Sequence, residues 1–517
     1  MNLVTLTEKH IEIIFDFDWA VVNRVRVLPD CEFVRQRKMW RTPATAFHAQ
    51  AVIKQLRKDF TISDDVQALA RTYDPEAPRE KLKKGSYPHL FPFQRDGLEF
   101  IIGQGGRAIL ADDMGLGKTV TALAYMDYQG GRTLVVAPSN VTYKWKAECE
   151  RWLPGRSVEI VTKGKQQFPA SDVVILSYDL LKAYVETIVS FAKFDVLIAD
   201  ECHYVKNFKS QRTKSVKRVA SVTDCQLYLS GTPFTNRPSE LFPILNMLHP
   251  EIYRNFFSFA KRYCGAELMN GYWYYPNILT NGDELRERLS RVMIRHTKQE
   301  SLKDLPDKTR VLIPITISNI KEYTHARTDF KRWYAKEGKD ATKATQLVKL
   351  GVLRHVMGRG KVGAAVELAE ELLHDDEQVV LFAHHKDVVA DLLAALEFYK
   401  TGLITGDSPA KQRAETVKKF QSGTLRLLII TVAGAEGIDL FAASHIIFVE
   451  REWTPAKEEQ AEDRLHRHGQ KSAVTCHYLI ARNTVDERLA DVVHQKRDLF
   501  GQVLSQDEII QTVLDEV

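Results

Sequence analysis

The chain has 517 residues, of which 44% are hydrophobic and 27% charged, and its formal net charge is +5. This composition excludes a disordered or fibrous protein, and the length predicts about three domains. The six cysteines form no C-x-x-C pair and no apolar run is long enough to cross a bilayer, so a zinc ribbon and a membrane role are disfavoured and an intracellular protein is expected.

Residues 1–75 are predicted to form a small, separate α+β module. The stretch HIEIIFDF is typical of a strand, residues 24–43 indicate a bent pair of strands, and a helix is expected around residues 44–56. Residues 72–88, rich in proline, glycine and charge, are predicted to be a linker.

A first series of short apolar runs alternates with amphipathic stretches such as residues 140–152. Each run ends in small or polar residues, which predicts parallel strands in a doubly wound sheet with ligands at the carboxyl ends. The runs are residues 134–138, 173–177, 196–200 and 227–230.

The same pattern repeats later in the chain, which favours two tandem α/β lobes over one large sheet. We place the first lobe at residues 76–315, with a helical protrusion from about 240, and the second at 316–517, with a protrusion to about 360 and C-terminal helices. Residues 250–360 are expected to belong to neither sheet. The later runs are residues 379–383, 425–431, 445–449 and 477–480.

The stretch ILADDMGLGKTV nearly matches the phosphate-binding pattern G-x-x-x-x-G-K-[ST], but Asp112 stands at the first glycine position. Gly115 and Gly117 supply backbone freedom, Lys118 a cation for the phosphates, and Thr119 a hydroxyl for magnesium. A loop leading into a helix without any ligand is the alternative.

An acidic pair ends the run VLIADECH. We expect Asp200, at the end of a strand neighbouring the loop, to hold Mg²⁺ and Glu201 to act as general base toward the attacking water. An acidic helix cap is the alternative for this pair taken alone.

The stretch QAEDRLHRHGQ brings Gln460, Arg464 and Arg467 to helical spacing. Arginines delivered from a second lobe would neutralise charge on a transferring γ-phosphoryl group and make hydrolysis depend on closure. A solvated basic helix is the competing interpretation.

Together these stretches resemble a Swi/Snf-type ATPase of helicase superfamily two. The motifs occur in the family's order, and the family's loop also has aspartate in place of the first glycine; they are FPFQ, LADDMGLGKT, LVVAPSNVTYKW, DECH, LSGTP, TVAGAEGIDL and QAEDRLHRHGQ. LFAHHK, LSGTPFTNRPSELF and LPDK are similar to the annealing helicases that rewind forked DNA, and MWRTP loosely resembles part of their N-terminal HARP module.

The resemblance implies two RecA-like lobes and a role for each motif residue. Gln94 would read adenine, Arg467 would be the arginine finger beside Arg464 and Gln460, and Thr119 and Asp200 would hold Mg²⁺. Ser230, Thr232 and Thr431 would contact DNA. The ATP-lining residues would be Gln94, Asp113, Met114, Gly115, Leu116, Gly117, Lys118, Thr119, Gly437 and Asp439.

Two basic segments are candidate tracks for the DNA backbone. The first includes Lys206, Lys209, Arg212 and Lys214 and has no acid between residues 206 and 218. The second, residues 321–361, has eleven basic and four acidic residues with Trp333 and Tyr334 among them. Solvated helices are the alternative for both.

The function that these features favour is a DNA-dependent ATPase, a monomer using ATP and Mg²⁺ to move along duplex DNA and to reanneal branched DNA in repair or replication. It would be cytoplasmic in a bacterium or virus and nuclear in a eukaryote. Two alternatives stay open: an RNA-dependent helicase of the same superfamily, and a DNA-binding scaffold with a vestigial ATP site.

Overall fold

The computed structural model describes most of the chain, in two compact units. The described residues are 2–8, 10–28, 31–44, 46–71, 87–231, 238–269, 272–274, 278–338, 343–435, 437–451, 455–487 and 490. The first unit draws on Met1–Ala111, Lys118–Ser139 and Glu148–Arg295, and the second on Asp112–Gly117, Asn140–Ala147 and His296–Val517. Thr232, part of the linker and the C-terminal segment after 490 lie outside the described residues.

The N-terminal part of the first unit is a five-stranded sheet with three helices. Its elements are β1 (Leu3–Leu6), β2 (His10–Ile14), α1 (Trp19–Arg26), β3 (Glu32–Val34), β4 (Met39–Pro43), α2 (Ala46–Leu56), β5 (Thr61–Ile62) and α3 (Asp64–Arg71). The strand order is β3-β4-β2-β1-β5, antiparallel except for the β1–β5 pair.

The prediction of a strand pair over residues 24–43 is wrong at its start, because residues 24–26 end helix α1. Asp18 caps this helix by accepting a hydrogen bond from the Ala20 amide, and Val21, Val22 and Val25 are buried on one face. A buried stripe at helical spacing outweighs the strand preference of valine. The predicted pair is confirmed only for β3 and β4.

The rest of the first unit is built on a seven-stranded, wholly parallel sheet. Its elements are α4 (Pro92–Gly103), β6 (Arg107–Leu110), α5 (Lys118–Gln129), β7 (Thr133–Ala137), α6 (Thr142–Trp152), β8 (Val158–Val161), β9 (Val173–Ser177), α7 (Tyr178–Ser190), β10 (Val196–Asp200), α8 (Gln211–Ala220), β11 (Cys225–Leu229), α9 (Phe242–Leu248), α10 (Phe256–Tyr263), β12 (Glu267–Met269), β13 (Tyr272–Tyr274), α11 (Gly282–Ser290) and β14 (Met293–Ile294). The part of α6 up to Ala147 is assigned to the second unit. The order is β14-β6-β11-β10-β7-β9-β8. Every residue of β7, β9 and β11 is buried, as expected of strands covered on both faces.

The second unit contains a six-stranded parallel sheet. Its elements are α12 (Lys298–Ser301), β15 (Lys308–Ile315), α13 (Ile320–Trp333), α14 (Lys343–His374), β16 (Val379–Ala383), α15 (Lys386–Ala395), β17 (Gly402–Ile404), α16 (Ala410–Gln421), β18 (Leu427–Thr431), α17 (Val432–Ala435), β19 (His445–Phe448), α18 (Pro455–Leu465) and β20 (Val474–Ala481). The order is β15-β20-β19-β16-β18-β17. The predicted fold class, two α/β lobes with parallel sheets and an α+β N-terminal part, is confirmed.

Residues 250–360 were predicted to belong to neither sheet, and this is wrong for two strands. β14 pairs with β6 at the edge of the first sheet, and β15 pairs with β20 along its whole length at the edge of the second. Edge strands need one apolar face at most, so the charges of Lys308 and Arg310 hid the strand pattern. The second sheet therefore begins before the predicted boundary at residue 316. No helix among the described residues is both long and apolar enough to cross a lipid bilayer.

Candidate nucleotide-binding site

Three motifs begin at the same level of the first sheet, where its strands end. Leu110, the last residue of β6, is in register with Leu229 of β11, and Leu229 is in register with Asp200 of β10. The phosphate-binding loop, LSGTP and DECH follow these three positions. The acidic strand is next but one to the loop strand, because β11 lies between them. This edge is where a doubly wound sheet binds its ligands.

Asp200 and Glu201 occupy a strained turn directly after β10. Glu201 has φ 49°, in the left-handed region that non-glycine residues seldom adopt, and its amide donates to Asp200 Oδ1 at 2.9 Å. The Tyr178 hydroxyl donates to the Asp200 carbonyl at 2.7 Å. These bonds fix the Asp200 carboxylate and the backbone of the turn.

His203 connects Glu201 with Ser230 of the LSGTP motif. Its Nδ1 lies 3.3 Å from Glu201 Oε2 and 3.3 Å from Ser230 Oγ, and Ser230 is fully buried. We assigned no role to His203 from the sequence, although the D-E-x-H spacing contained the signal. The contact gives the LSGTP segment a path to the predicted general base.

Lys118 shares the electrostatic environment of the acidic turn. Burial raises the pKa of the Cys202 thiol, the charges of Glu201 and Asp200 raise it further, and Lys118 acts in the opposite direction. Lys118 is the first residue of α5 and Thr119 the second, and both are half-buried.

Gln94 is the third residue of helix α4 and is buried. Its Oε1 accepts a hydrogen bond from the Phe91 amide at 3.1 Å, which fixes the start of the helix. Since this bond uses the side-chain oxygen of Gln94, its side-chain nitrogen is the group suited to donate a hydrogen bond to an acceptor on the edge of a base.

Asp112 through Gly117 belong to the second unit, where Asp112 is a structural anchor. Its side chain is fully buried, and Oδ1 accepts from the His296 amide at 2.9 Å and lies 2.8 Å from His296 Nδ1. Gly115 and Gly117 have φ of 87° and 76°, which glycine adopts without strain. Asp112, which replaces the first glycine of the usual loop pattern, is thus a buried carboxylate that is hydrogen-bonded to His296.

Asp439, predicted to line the ATP cleft, binds two cations of the second unit. Lys144 Nζ lies 3.0 Å from both carboxylate oxygens, and Arg467 Nη1 donates to Oδ1. Burial would raise the pKa of Asp439, but Arg467, Lys144 and Arg464 outweigh burial and lower it. The structure therefore brings Arg464, Arg467, Lys144 and Asp439 together.

Three further motif residues of the second unit, Gly437, Thr431 and Gln460, lie in a turn, at a strand end and on a helix, respectively. Gly437 has φ 73°, and a Cβ at this position would overlap the Val141 side chain. Thr431 ends β18, and its Oγ1 accepts from the Gly434 amide at 3.3 Å. Gln460 is half-buried on helix α18.

The first basic segment divides into paired and exposed cations. Arg212 is 2.7 Å from Asp179 and its guanidinium stacks over the Tyr204 ring, while Lys206 is 3.4 Å from Glu240. Lys209 and Lys214 are exposed. Lys217 in the same segment is exposed as well, so these three lysines are the ones best placed to reach a phosphate.

The aromatic residues of the second basic segment are packed. Trp333 and Tyr334 lie against the cluster formed by Tyr323, Phe330 and residues of α14, and Lys349 sits 5.6 Å from the Trp333 ring. These rings therefore pack within the protrusion.

Residues that the sequence analysis missed have partners far away in the chain. His296 and Lys298 contact Asp112 and Asp113 across 184 and 185 residues, and Lys144 meets Asp439 across 295. No local pattern predicts such pairs. Lys144 lies within LVVAPSNVTYKW, which carried the resemblance without assigning this lysine a role.

Family comparisons match most of the chain. An SNF2-related domain matches residues 93–360 and a helicase conserved C-terminal domain matches residues 363–469. The first of these covers more than half of the chain. The two matches contain the loop, the acidic turn, and the segment with Arg464 and Arg467.

Curated relatives give the same result. The chain is 33% identical over 466 residues to the SWI/SNF-related matrix-associated actin-dependent regulator of chromatin subfamily A-like protein 1 of Xenopus tropicalis, covering 88% of this chain and 48% of the relative. It is 32% identical over 438 residues to the DNA annealing helicase and endonuclease ZRANB3 of Bos taurus, covering 80% and 40%. The Caenorhabditis elegans homolog of the former is 31% identical over 530 residues, covering 96% and 75%.

The chain spans about half the length of the frog relative and less than half of the bovine one. The worm relative is matched over three quarters of its length. With a family match over more than half of the residues and the motifs at the sheet edges, the resemblance stated from the sequence is confirmed: this chain belongs to the SNF2 family.

Proposed function

We propose that this chain is a DNA-dependent ATPase that moves along double-stranded DNA as a monomer and remodels or reanneals branched DNA. The observation that carries the proposal is the shared register of Leu110, Leu229 and Asp200, since it sets the strand that leads into the phosphate-binding loop level with the acidic turn. Family membership supports the use of a nucleotide.

The chemistry would be in-line attack of water on the γ-phosphate. Lys118 would bind the terminal phosphates, and Glu201 would accept the proton of the attacking water. Arg467 would stabilise the developing charge, with Arg464 and Gln460 beside it.

The residues present fit a magnesium ion carried by ATP. Oxygen donors are what Mg²⁺ prefers, and the half-buried Asp200 carboxylate and Thr119 hydroxyl are such donors. When bound, the ion neutralises charge on the β- and γ-phosphates.

The choice of DNA rests on the relatives and on exposed charge. One relative is named a DNA annealing helicase, and Lys209 and Lys214 are exposed on the first unit near the acidic turn in sequence. Contacts to phosphates carry no sequence information, which suits a motor that must move along any sequence.

Steady-state ATP turnover tests the proposal with matched single-stranded, duplex and forked DNA and with RNA of equal length. We expect duplex or forked DNA to stimulate turnover most. Stimulation by RNA alone would support the RNA-dependent helicase, and DNA binding without turnover under any condition would support the scaffold.

A further inference from the structure

The backbone of Lys298, in the second unit, is fixed by the cap at the start of helix α12. Thr297 caps α12 by accepting from the Glu300 amide, and the Glu300 carboxylate in turn accepts from Thr297. Such a reciprocal cap fixes the backbone of the first turn. Lys298 is the first residue of that turn.

The backbone beside Lys298 is joined to the phosphate-binding loop by hydrogen bonds in both directions. The Lys298 amide donates to Asp113 Oδ2 at 3.1 Å, and the Asp113 amide donates to the His296 carbonyl at 2.9 Å. The buried Asp112 carboxylate accepts from His296 as described above. The start of the loop and residues 296–298 therefore act as one piece.

The Lys298 side chain binds the segment that carries the arginines. Its Nζ donates to the His466 carbonyl at 2.6 Å and lies 2.8 Å from Asp463 Oδ1. These two groups flank Arg464 and precede Arg467 in the chain. The side chain is 11% exposed, so water competes little for these bonds.

Gly115, Lys298 and Arg467 are packed against each other. A Cβ added to Gly115 would lie 3.0 Å from Arg467 Cβ and 3.3 Å from Lys298 Cε. The loop, the lysine and the arginine segment therefore meet at one place.

A second lysine, Lys308, shares the Asp463 carboxylate with Lys298, and its described partners lie outside the phosphate-binding loop. Lys308 Nζ is 3.1 Å from Asp463 Oδ1 and 2.8 Å from Glu462 Oε2. Burial lowers the pKa of Lys308, but Asp463 and Glu462 outweigh it and raise the pKa above its ordinary value. Among the described residues Lys298 pairs with one carboxylate, that of Asp463, and burial lowers the pKa of Lys298 to about 8 despite this partner.

We infer that Lys298 is a positioning residue for ATP hydrolysis, which sets Arg464 and Arg467 relative to the phosphate-binding loop through its bonds to Asp463 and His466. The inference rests on the proposed function. Lys298 would act through the arginine segment, without touching nucleotide, so it should influence the rate of hydrolysis more than the binding of ATP.

Three variants test the inference in the full chain, with saturating duplex DNA. Lys298→Met removes the cation but keeps the length, Lys298→Arg keeps a cation, and Lys308→Met removes a cation from the same carboxylate without touching the loop. We expect Lys298→Met to lower kcat at least tenfold while the Kd of a fluorescent ATP analogue stays within threefold. Lys298→Arg should recover part of kcat, and Lys308→Met should stay within threefold of the parent.

The pH profile gives a second readout that a purely structural role would not move. In the parent, kcat should fall above about pH 8 as Lys298 loses its proton, whereas Lys298→Arg should lack this fall because a guanidinium stays charged. The charged and titratable groups that face Lys298 among the described residues are Asp463, Lys308, His466, Arg467 and Asp113, and Glu462 pairs with Lys308.

The outcomes separate the inference from the proposed function. A parent chain without DNA-stimulated turnover overturns the proposed function. An active parent with an equally active Lys298→Met overturns the inference, as does a Lys308→Met variant that loses as much kcat as Lys298→Met. An Arg variant whose alkaline fall matches the parent's also counts against it.

Discussion

The Oδ1 atom of Asp112 contacts His296 twice, at 2.9 Å from the backbone amide and at 2.8 Å from the ring nitrogen Nδ1. Asp112, which departs from the common loop pattern, thus connects the phosphate-binding loop by hydrogen bonds to the segment that follows β14. A glycine at this position would have no side chain to make these bonds.

Restoring the common pattern should therefore weaken the protein. Asp112→Gly removes the acceptor of both His296 bonds, at a cost of about 1–3 kcal/mol in the free energy of unfolding. Asp112→Asn keeps an acceptor oxygen and should lose less. Urea unfolding measures both, and an Asp112→Gly protein as stable as the parent would show that the two bonds contribute no stability.

Glu201→Gln tests the general base. The substitution keeps the shape of the side chain and removes its basicity, so kcat should fall by about 100- to 10,000-fold while ATP stays bound. Lys118→Ala should abolish hydrolysis as well, with weaker nucleotide binding. Glu397→Gln, at an exposed position, is the control. Normal turnover in either active-site variant would refute the assigned role.

Arg467→Ala tests the arginine finger. An arginine finger contributes about a thousandfold or more to kcat, so a loss of at least that order is expected with little change in the Kd for ATP. Arg286, which is 76% exposed and paired with Asp283, is a matched arginine for the control. A loss of less than tenfold in Arg467→Ala would assign Arg467 to its ion pair with Asp439 alone.

Lys209 and Lys214 test the DNA track on helix α8 and the loop before it. The double substitution to alanine should flatten the salt dependence of duplex binding by about 0.9 in log-log slope for each phosphate that the variant no longer binds. Arg218, whose Nη2 is 2.9 Å from Glu186 Oε2, is already paired, and Arg218→Ala should change the slope less. An unchanged slope in the double variant would move the DNA away from this segment.

A stacked histidine pair predicts that acid destabilises the second sheet. His445 Nδ1 lies 3.0 Å from His477 Nε2, and burial, with a smaller contribution from His445, lowers the pKa of His477 to about 4. The unfolded chain takes up this proton near pH 6.5, so stability is full above that pH and falls as the pH drops toward 4.

The loss from this one group is on the order of 3 kcal/mol. The urea midpoint, measured between pH 7.5 and 5, should decline less steeply in His477→Gln, which has no proton to gain. Parallel slopes in the two proteins would show that His477 does not cause the decline.

The sequence by itself determined four strands of each parallel sheet and the residues that follow them. Apolar runs such as Val173–Ser177 and Val196–Asp200 are buried on both faces, so their composition alone identifies them, and chain order then sets the motifs at the carboxyl ends. Asp200 and Glu201 were assigned in this way, and Gly115 and Lys118 were assigned from the spacing of the phosphate-binding pattern.

Only the tertiary structure decided which distant residues complete the site and where the sheets end. Lys144 meets Asp439 across 295 residues, and Lys298 joins the loop to the arginine segment, but neither pairing leaves a periodic trace in the sequence. The edge strand β15 was missed for a related reason: with one neighbour and exposed charges, it lacks the apolar run that buried strands require. A strand that is buried on both faces must consist of apolar residues, so its own sequence identifies it. A long-range ion pair or an edge strand depends on partners elsewhere in the chain, so its own sequence does not.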